Sequence, residues 1–230
     1  MNIIWLGHGS FRMEIEDQVL LIDPWLSGNP MLGEGQHDKA IDGATQILVT
    51  HGHFDHTQDI ADVAKRTGAP VAGMYELMAW FEGQGVAGTT GFNKGGTIKA
   101  GNVAVTMVPA SHSSSVAEEN GPVYMGAETG FMIAGEGKTI YFSGDTTIMA
   151  DMDWIGDYYK PDIGILSAGG FYTMDMAGAA YAAKRYFDFK TVIPCHYRTF
   201  EALEQSAKVL ADGLPGVEVI EPQVMQAIAL

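Results

Sequence analysis

Six consecutive residues, His51-Gly52-His53-Phe54-Asp55-His56, bring together three imidazoles and a carboxylate, a density that a purely structural role does not require. Imidazole nitrogen and carboxylate oxygen together suit zinc, manganese or iron, and a loop turns alternate residues toward one centre as a straight strand does not. The block follows the apolar run 47–50 and precedes a stretch of helical spacing, so it sits in a strand–loop–helix context.

The elements that must position this block are short. Apolar runs at 3–6, 11–15, 19–22 and 47–50, punctuated by Gly, Asp and Pro, are predicted as strands. Ile60, Ala61, Val63 and Ala64 recur at helical spacing and predict a helix over 57–66, with Thr57 as N-cap. A strand is expected at 71–73, a helix at 75–81, and a hairpin of 97–100 with 103–108 turned at Gly101-Asn102, ending just before His112. Residues 111–130 lack periodicity and are expected to form a long excursion of the kind that covers a site. The runs 131–134 and 139–142 flank Gly135-Glu136-Gly137-Lys138, a hairpin signal, and the second leads into Ser143-Gly144-Asp145. Strands at 163–167, 191–194 and 217–220 alternate with helices at 176–187 and 201–212. Two sheet-rich halves with interleaved helices predict an α/β fold, a four-layer αββα sandwich of two facing mixed β-sheets whose strand-end loops meet along one edge. One domain over 1–230 is the expectation at this length, with no linker or low-complexity segment.

His51-x-His53-x-Asp55-His56 after an apolar strand resembles the signature of the metallo-β-lactamase fold superfamily. His112, Asp145 in Ser-Gly-Asp-Thr and His196 in Ile-Pro-Cys-His-Tyr stand in the order of that family's remaining metal positions. Trp-Leu-Gly-His-Gly-Ser-Phe at 5–11, Leu-Ile-Asp-Pro at 21–24 and Ile-Pro-Cys-His-Tyr-Arg-Thr-Phe at 193–200 resemble one branch, the small bacterial and archaeal metal-dependent hydrolases related to L-ascorbate-6-phosphate lactonase. The resemblance runs from Ile3 to about Ile220. It implies two divalent metal ions, zinc first, with manganese or iron as alternatives. His51, His53 and His112 would hold one ion, Asp55, His56 and His196 the other, and Asp145 would bridge them. Two cations a few ångströms apart need a shared anion, and a residue emerging from a strand into a Gly-rich turn can present one. Water between such ions ionises near neutral pH, giving a nucleophile without covalent work by Ser, Cys or Lys, and Asp55 is expected to take part in catalysis as well as in metal binding. Taken singly, His112 and His196 read as loop histidines and Asp145 as the cap of a helix at 146–155, so the assignment rests on the constellation.

Other residues carry weaker signals. His8, between Gly7 and Gly9, reads as a catalytic proton donor or substrate contact, or as a turn histidine bonded to backbone. Asp23 before Pro24 reads as an acceptor orienting a ligand imidazole, or as a turn former. Arg198 is expected to receive a phosphate or carboxylate of the substrate and Tyr197 to donate a hydrogen bond to it, although the related branch often has Asn in place of Arg198. Cys195 should point into the core, His37 belongs to a Gly-rich loop, and Thr173-Met174-Asp175 should cap the following helix.

Composition narrows the function classes. With 13 basic against 28 acidic side chains the formal charge is −15, which removes the electrostatic attraction most nucleic-acid binding relies on, so nucleic acid is not an expected partner. No apolar run approaches the roughly 20 residues of a membrane-spanning helix, and a membrane partner is not expected. Met1-Asn2-Ile3-Ile4-Trp5-Leu6 lacks a basic leader segment, and the single cysteine permits no internal disulfide, which together fit a cytoplasmic location. The expected function is hydrolysis of a small ester, lactone or phosphoester. The alternatives are a nuclease of the same fold, a non-catalytic metal scaffold, and redox chemistry at a di-iron centre, and the resemblance makes a homo-oligomer an expectation.

Overall fold

The computed structural model describes residues 1–230 as two facing seven-stranded sheets flanked by helices. The chain first lays down β1 (Asn2–Gly7), β2 (Ser10–Ile15), β3 (Gln18–Ile22), β4 (Gln46–Val49), β5 (Val71–Met74) and β6 (Thr89–Phe92). Next come β7 (Thr97–Ala100), β8 (Val103–Pro109), a separate hairpin of β9 (Ser115–Glu118) with β10 (Gly121–Tyr124), β11 (Thr129–Gly135), β12 (Lys138–Phe142), β13 (Ile163–Ser167), β14 (Thr191–Cys195), β15 (Glu218–Val219) and β16 (Ala227–Ala229). The first sheet runs β16-β1-β2-β3-β4-β5-β6 and the second β15-β14-β13-β12-β11-β8-β7.

Both sheets repeat one pattern. From the β16 end of the first, three antiparallel pairings are followed by three parallel ones, and from the β7 end of the second the same sequence recurs. The physical cause is visible in burial. In β2, Phe11, Met13 and Ile15 are buried while Arg12 and Glu14 are half-buried, the alternation of an antiparallel strand with one wetter face. The parallel strands β4, β13 and β14 are buried throughout because they are covered on both faces. Helix α1 (His37–Ile41) is followed by α2 (Phe54–Thr57), α3 (Ile60–Thr67) and α4 (Tyr75–Gly83), and α4 packs on β5 and β6. On the other side α5 (Met152–Tyr159), α6 (Met176–Tyr186) and α7 (Lys208–Gly213) pack on one another, with α6 against β13. One core cluster of 62 buried residues fills the space between the sheets and extends under the flanking helices, and the Phe11–Phe142 ring contact at 5.6 Å crosses from one sheet to the other.

Several element bounds differ from expectation. The helix expected from Thr57 starts at Phe54, inside the histidine block, and breaks before Ile60; Thr57 does not cap it but bonds back through Oγ1 to the His53 carbonyl at 2.8 Å. No helix spans 146–155; α5 begins only at Met152. Residues 201–207 are not helical because the chain closes on the β13 loop instead, with the Glu204 amide on the Gly169 carbonyl and the Arg198 amide on the Glu204 carbonyl. The excursion after β8 contains the β9–β10 hairpin, and β6, β16 and α1 are elements the sequence pattern did not mark.

Candidate metal centre

Four loops at one edge of the sheets deliver the expected ligands. His51, His53, Asp55 and His56 follow β4, and the early start of α2 places Asp55 and His56 on its first turn. His112 follows β8, Asp145 follows β12 and His196 follows β14. Their donor atoms fall into three overlapping groups, each drawn within 4.8 Å: His51, His53 and His112; His51, His56 and Asp145; and His8, Asp55, His56 and His196. Asp145 Oδ2 lies 3.0 Å from His196 Nε2, 3.5 Å from His56 Nε2 and 3.8 Å from His112 Nε2, so one oxygen faces imidazoles of both triplets. Backbone stitches between the sheets hold this edge together: the Thr129 amide and hydroxyl both donate to the Thr50 carbonyl, and the His196 amide donates to the His8 carbonyl at 2.9 Å. Gly169 makes room for the last ligand, since a Cβ there would lie 1.8 Å from the His196 carbonyl oxygen.

A buried carboxylate beneath the centre sets the direction of two rings. Asp23, fully buried, accepts from His56 Nδ1 at 2.7 Å and from the Thr50 hydroxyl at 2.6 Å, while its other oxygen takes the Thr50 amide at 2.8 Å. With its hydrogen committed to Asp23, the Thr50 hydroxyl is left to accept from His51 Nδ1 at 3.0 Å. Both imidazoles therefore carry Nδ1–H below, and Nε2 faces the centre. His8 closes the opposite side, with Nε2 2.8 Å from Asp55 Oδ2 and Nδ1 2.8 Å from the Thr199 hydroxyl. His8, Asp23 and His196 all adopt positive φ, at 53°, 46° and 58°, a strained conformation for side chains of this size that clusters at functional sites.

The centre asks for positive charge. The ionic partners of Asp55 and Asp145 are all imidazoles, with no lysine or arginine among them. Burial works against ionising Asp145, but His196 and His56 outweigh it and hold its carboxyl well below the usual range. Burial likewise opposes charge on His196, yet Asp145 and Asp55 pull it up to about 9. His8 goes the other way, lowered to about 4 by burial and then by His196. His56 Nε2, buried without a hydrogen-bond partner, faces two carboxylates, a position in which a bare lone pair is repelled unless a proton or a metal ion stands between. Five imidazoles and two carboxylates so disposed fit divalent cations.

Comparison with known proteins points the same way. The family model described as "Beta-lactamase superfamily domain" matches residues 18–223. A UPF0173 metal-dependent hydrolase from Ruegeria pomeroyi is 66% identical over 229 residues, covering 99% of each chain, and one from Roseobacter denitrificans is 65% identical over 228 residues with the same coverage. Among solved structures, Igni18, described as a metallo hydrolase from Ignicoccus hospitalis, superposes with a TM-score of 0.83 at 30% identity over 100% of this chain and 98% of its own. The chain belongs to the metal-dependent hydrolases of the beta-lactamase superfamily. In this hydrolase a cavity of about 610 Å³ opens directly above the ligands, lined by His8, His53, Asp55, His112, Asp145 and His196 at its floor and by the β9–β10 hairpin, Phe54, Tyr172 and Phe200 at its walls. Neither expected substrate contact reaches it. Tyr197 is wholly buried and stacks on Trp5 at 5.5 Å, and Arg198, at φ 66°, lies over the Tyr197 ring rather than in the cavity. The reason is that the left-handed turn at His196 and Arg198 leads the chain away from the cavity before Thr199 and Phe200 bring it back. Cys195 is buried as expected, and Asp175 caps α6 through the Gly178 amide at 2.6 Å. Sequence reasoning missed Thr199, Phe54, Tyr172 and Phe200; the only signals were the aromatics Phe54, inside the histidine block, and Phe200, four residues past His196.

Proposed function

We propose that this hydrolase works through a pair of divalent ions, zinc foremost, held by His51, His53 and His112 on one side and Asp55, His56 and His196 on the other, with Asp145 shared, and that it cleaves ester bonds. The observation that carries the reading is the overlap of the three ligand groups at the floor of one open cavity. Bound there, the ions supply Lewis acidity and lower the pKa of water toward neutrality. The chain's own contribution is orientation: Asp23 and Thr50 fix the tautomers of His56 and His51, and Thr199 fixes the His8 ring. His8, held neutral by burial and by His196, is the group placed to hold a proton at Nε2 against Asp55 Oδ2 and so to orient that carboxylate.

The test is elemental analysis of the purified protein together with turnover of p-nitrophenyl butyrate and bis(p-nitrophenyl) phosphate. Two ions per chain are expected, with His53→Ala and Asp145→Asn each losing metal and lowering kcat/KM by about 100-fold or more while the far-ultraviolet circular dichroism is retained. One ion per chain with full activity would remove the shared-ligand arrangement, and full activity in both variants would remove the site.

A further inference from the structure

Granting the hydrolytic reading above, the walls of the cavity narrow the substrate class. We propose that the cavity selects an uncharged ester or lactone carrying an aryl or alkyl group, in preference to a phosphate ester. None of the 13 lysines and arginines lines it. Apart from the ligands and His8, the only ionisable groups in the lining are Glu118, brought in by the hairpin, and the Tyr172 phenol. A phosphate mono- or diester keeps at least one negative charge on its free oxygens, and where that charge extends past bound metal ions proteins meet it with guanidinium, ammonium or converging amides. Here the wall offers the Glu118 carboxylate instead, on a chain whose formal net charge is −15.

What the walls do offer is apolar area. Phe54, Tyr172, Phe200 and Pro122 face the cavity, and Phe54, Tyr172 and Phe200 are 58%, 55% and 36% exposed, so aromatic surface stands open for a ligand to cover. Two of the rings are braced. Trp25, itself buried, stands 5.7 Å from Phe54 and 6.2 Å from Phe200, and Phe200 also lies 5.5 Å from His8. An alkyl or aryl flank on these rings leaves the carbonyl over the floor. Hydrolysis there breaks the acyl C–O bond, water's oxygen goes to the acyl carbon, and its protons end on the leaving alcohol and in solvent.

A p-nitrophenyl ester series from acetate to hexanoate on the metal-loaded enzyme reads the walls directly. The value of kcat/KM should rise about fourfold per added methylene, and Phe200→Ala should flatten that slope. Binding supplies the second readout, by saturation-transfer NMR with 4-phenyl-2-butanone, an uncharged ketone with no bond to hydrolyse, against benzylphosphonate. The ketone should bind both metal-loaded and chelator-stripped protein, and the phosphonate should not bind the stripped protein. A flat chain-length series, or phosphonate binding to stripped protein more tightly than the ketone, would overturn the proposal. If metal-loaded protein hydrolyses no ester at all, the hydrolytic reading fails separately, and the ketone–phosphonate comparison still decides what the walls select.

Discussion

Asp23 never touches the cavity, yet it orients two of the imidazoles proposed to hold metal beneath it. Its carboxylate grips His56 directly and His51 through the Thr50 hydroxyl. Asp23→Asn keeps the shape but replaces an acceptor by a donor amide, so the His56 ring loses the bond that fixes its tautomer. Metal affinity should fall about 10–100-fold, measured by competition with a fluorescent zinc chelator, whereas Thr50→Val should weaken only the side held by His51. Unchanged affinity in Asp23→Asn would mean that packing alone orients the rings. Arg198 supplies the opposite case. Because it lies over Tyr197 and not in the cavity, Arg198→Asn, a residue that tolerates its positive φ, should leave kcat/KM for both bis(p-nitrophenyl) phosphate and p-nitrophenyl butyrate within about twofold. A tenfold loss confined to the phosphodiester would return Arg198 to the role its position after His196 suggested.

Among the elements, the β9–β10 hairpin is the piece that departs from the shared plan of the two sheets. Between β1 and β2 the chain turns in a tight loop at His8, whereas between the corresponding β8 and β11 it runs out through residues 110–128 and forms the cavity wall. The hairpin is seated on Gly52, whose amide donates to Ser114 Oγ at 3.1 Å and whose Cβ, if present, would lie 3.0 Å from the Ser115 carbonyl carbon. Gly52→Ala should therefore push the wall outward: metal content holds, the KM for hexanoate esters rises roughly tenfold, and stability drops by about 1–3 kcal/mol in urea titration. An unchanged KM would show that the hairpin yields without moving the wall. The same element marks the limit of what the sequence made legible. Strands with strong apolar runs, such as β4 and β13, and the ligand loops at their ends could be read because burial on both faces leaves a continuous signature. The hairpin could not, because β10, with sequence Gly-Pro-Val-Tyr, is largely exposed and shows no period. The segment 201–207 misled for a related reason: its spacing suits a helix, but tertiary bonds to Gly169 decide its path. Arg198 and Tyr197 misled because two left-handed residues turn the chain, something no periodicity records.

At the scale of the molecule, the two sheets place like residues at like positions. His8 follows β1 and His112 follows β8, each the second strand counted from the antiparallel edge; Asp23 follows β3 and Asp145 follows β12, each the fourth. One carboxylate of the second pair is sunk below the centre as an orienting acceptor and the other faces it, so the centre lies where the two sheets meet and draws ligands from both. Ions held there as proposed would join β4 of one sheet to β8, β12 and β14 of the other, a cross-link that an unfolded chain does not have. Stripping them leaves Asp55 and Asp145 buried beside each other, with only imidazoles for counter-charge. At a free zinc concentration about 1,000 times the dissociation constant, each independent site adds about 4 kcal/mol to the folded state. For a domain of this size a kilocalorie moves Tm by about 2–4 °C, so chelation should lower Tm by about 8–16 °C for one site, and restored zinc should recover it. The measurement is a thermal scan of stripped and reloaded protein at fixed protein concentration, with metal content determined on each sample. Sodium chloride added to the stripped protein should not substitute, because screening acts weakly on charges this deep. A stripped protein that melts at the same temperature as the loaded one would mean that the sheets hold the centre together without help from what it binds.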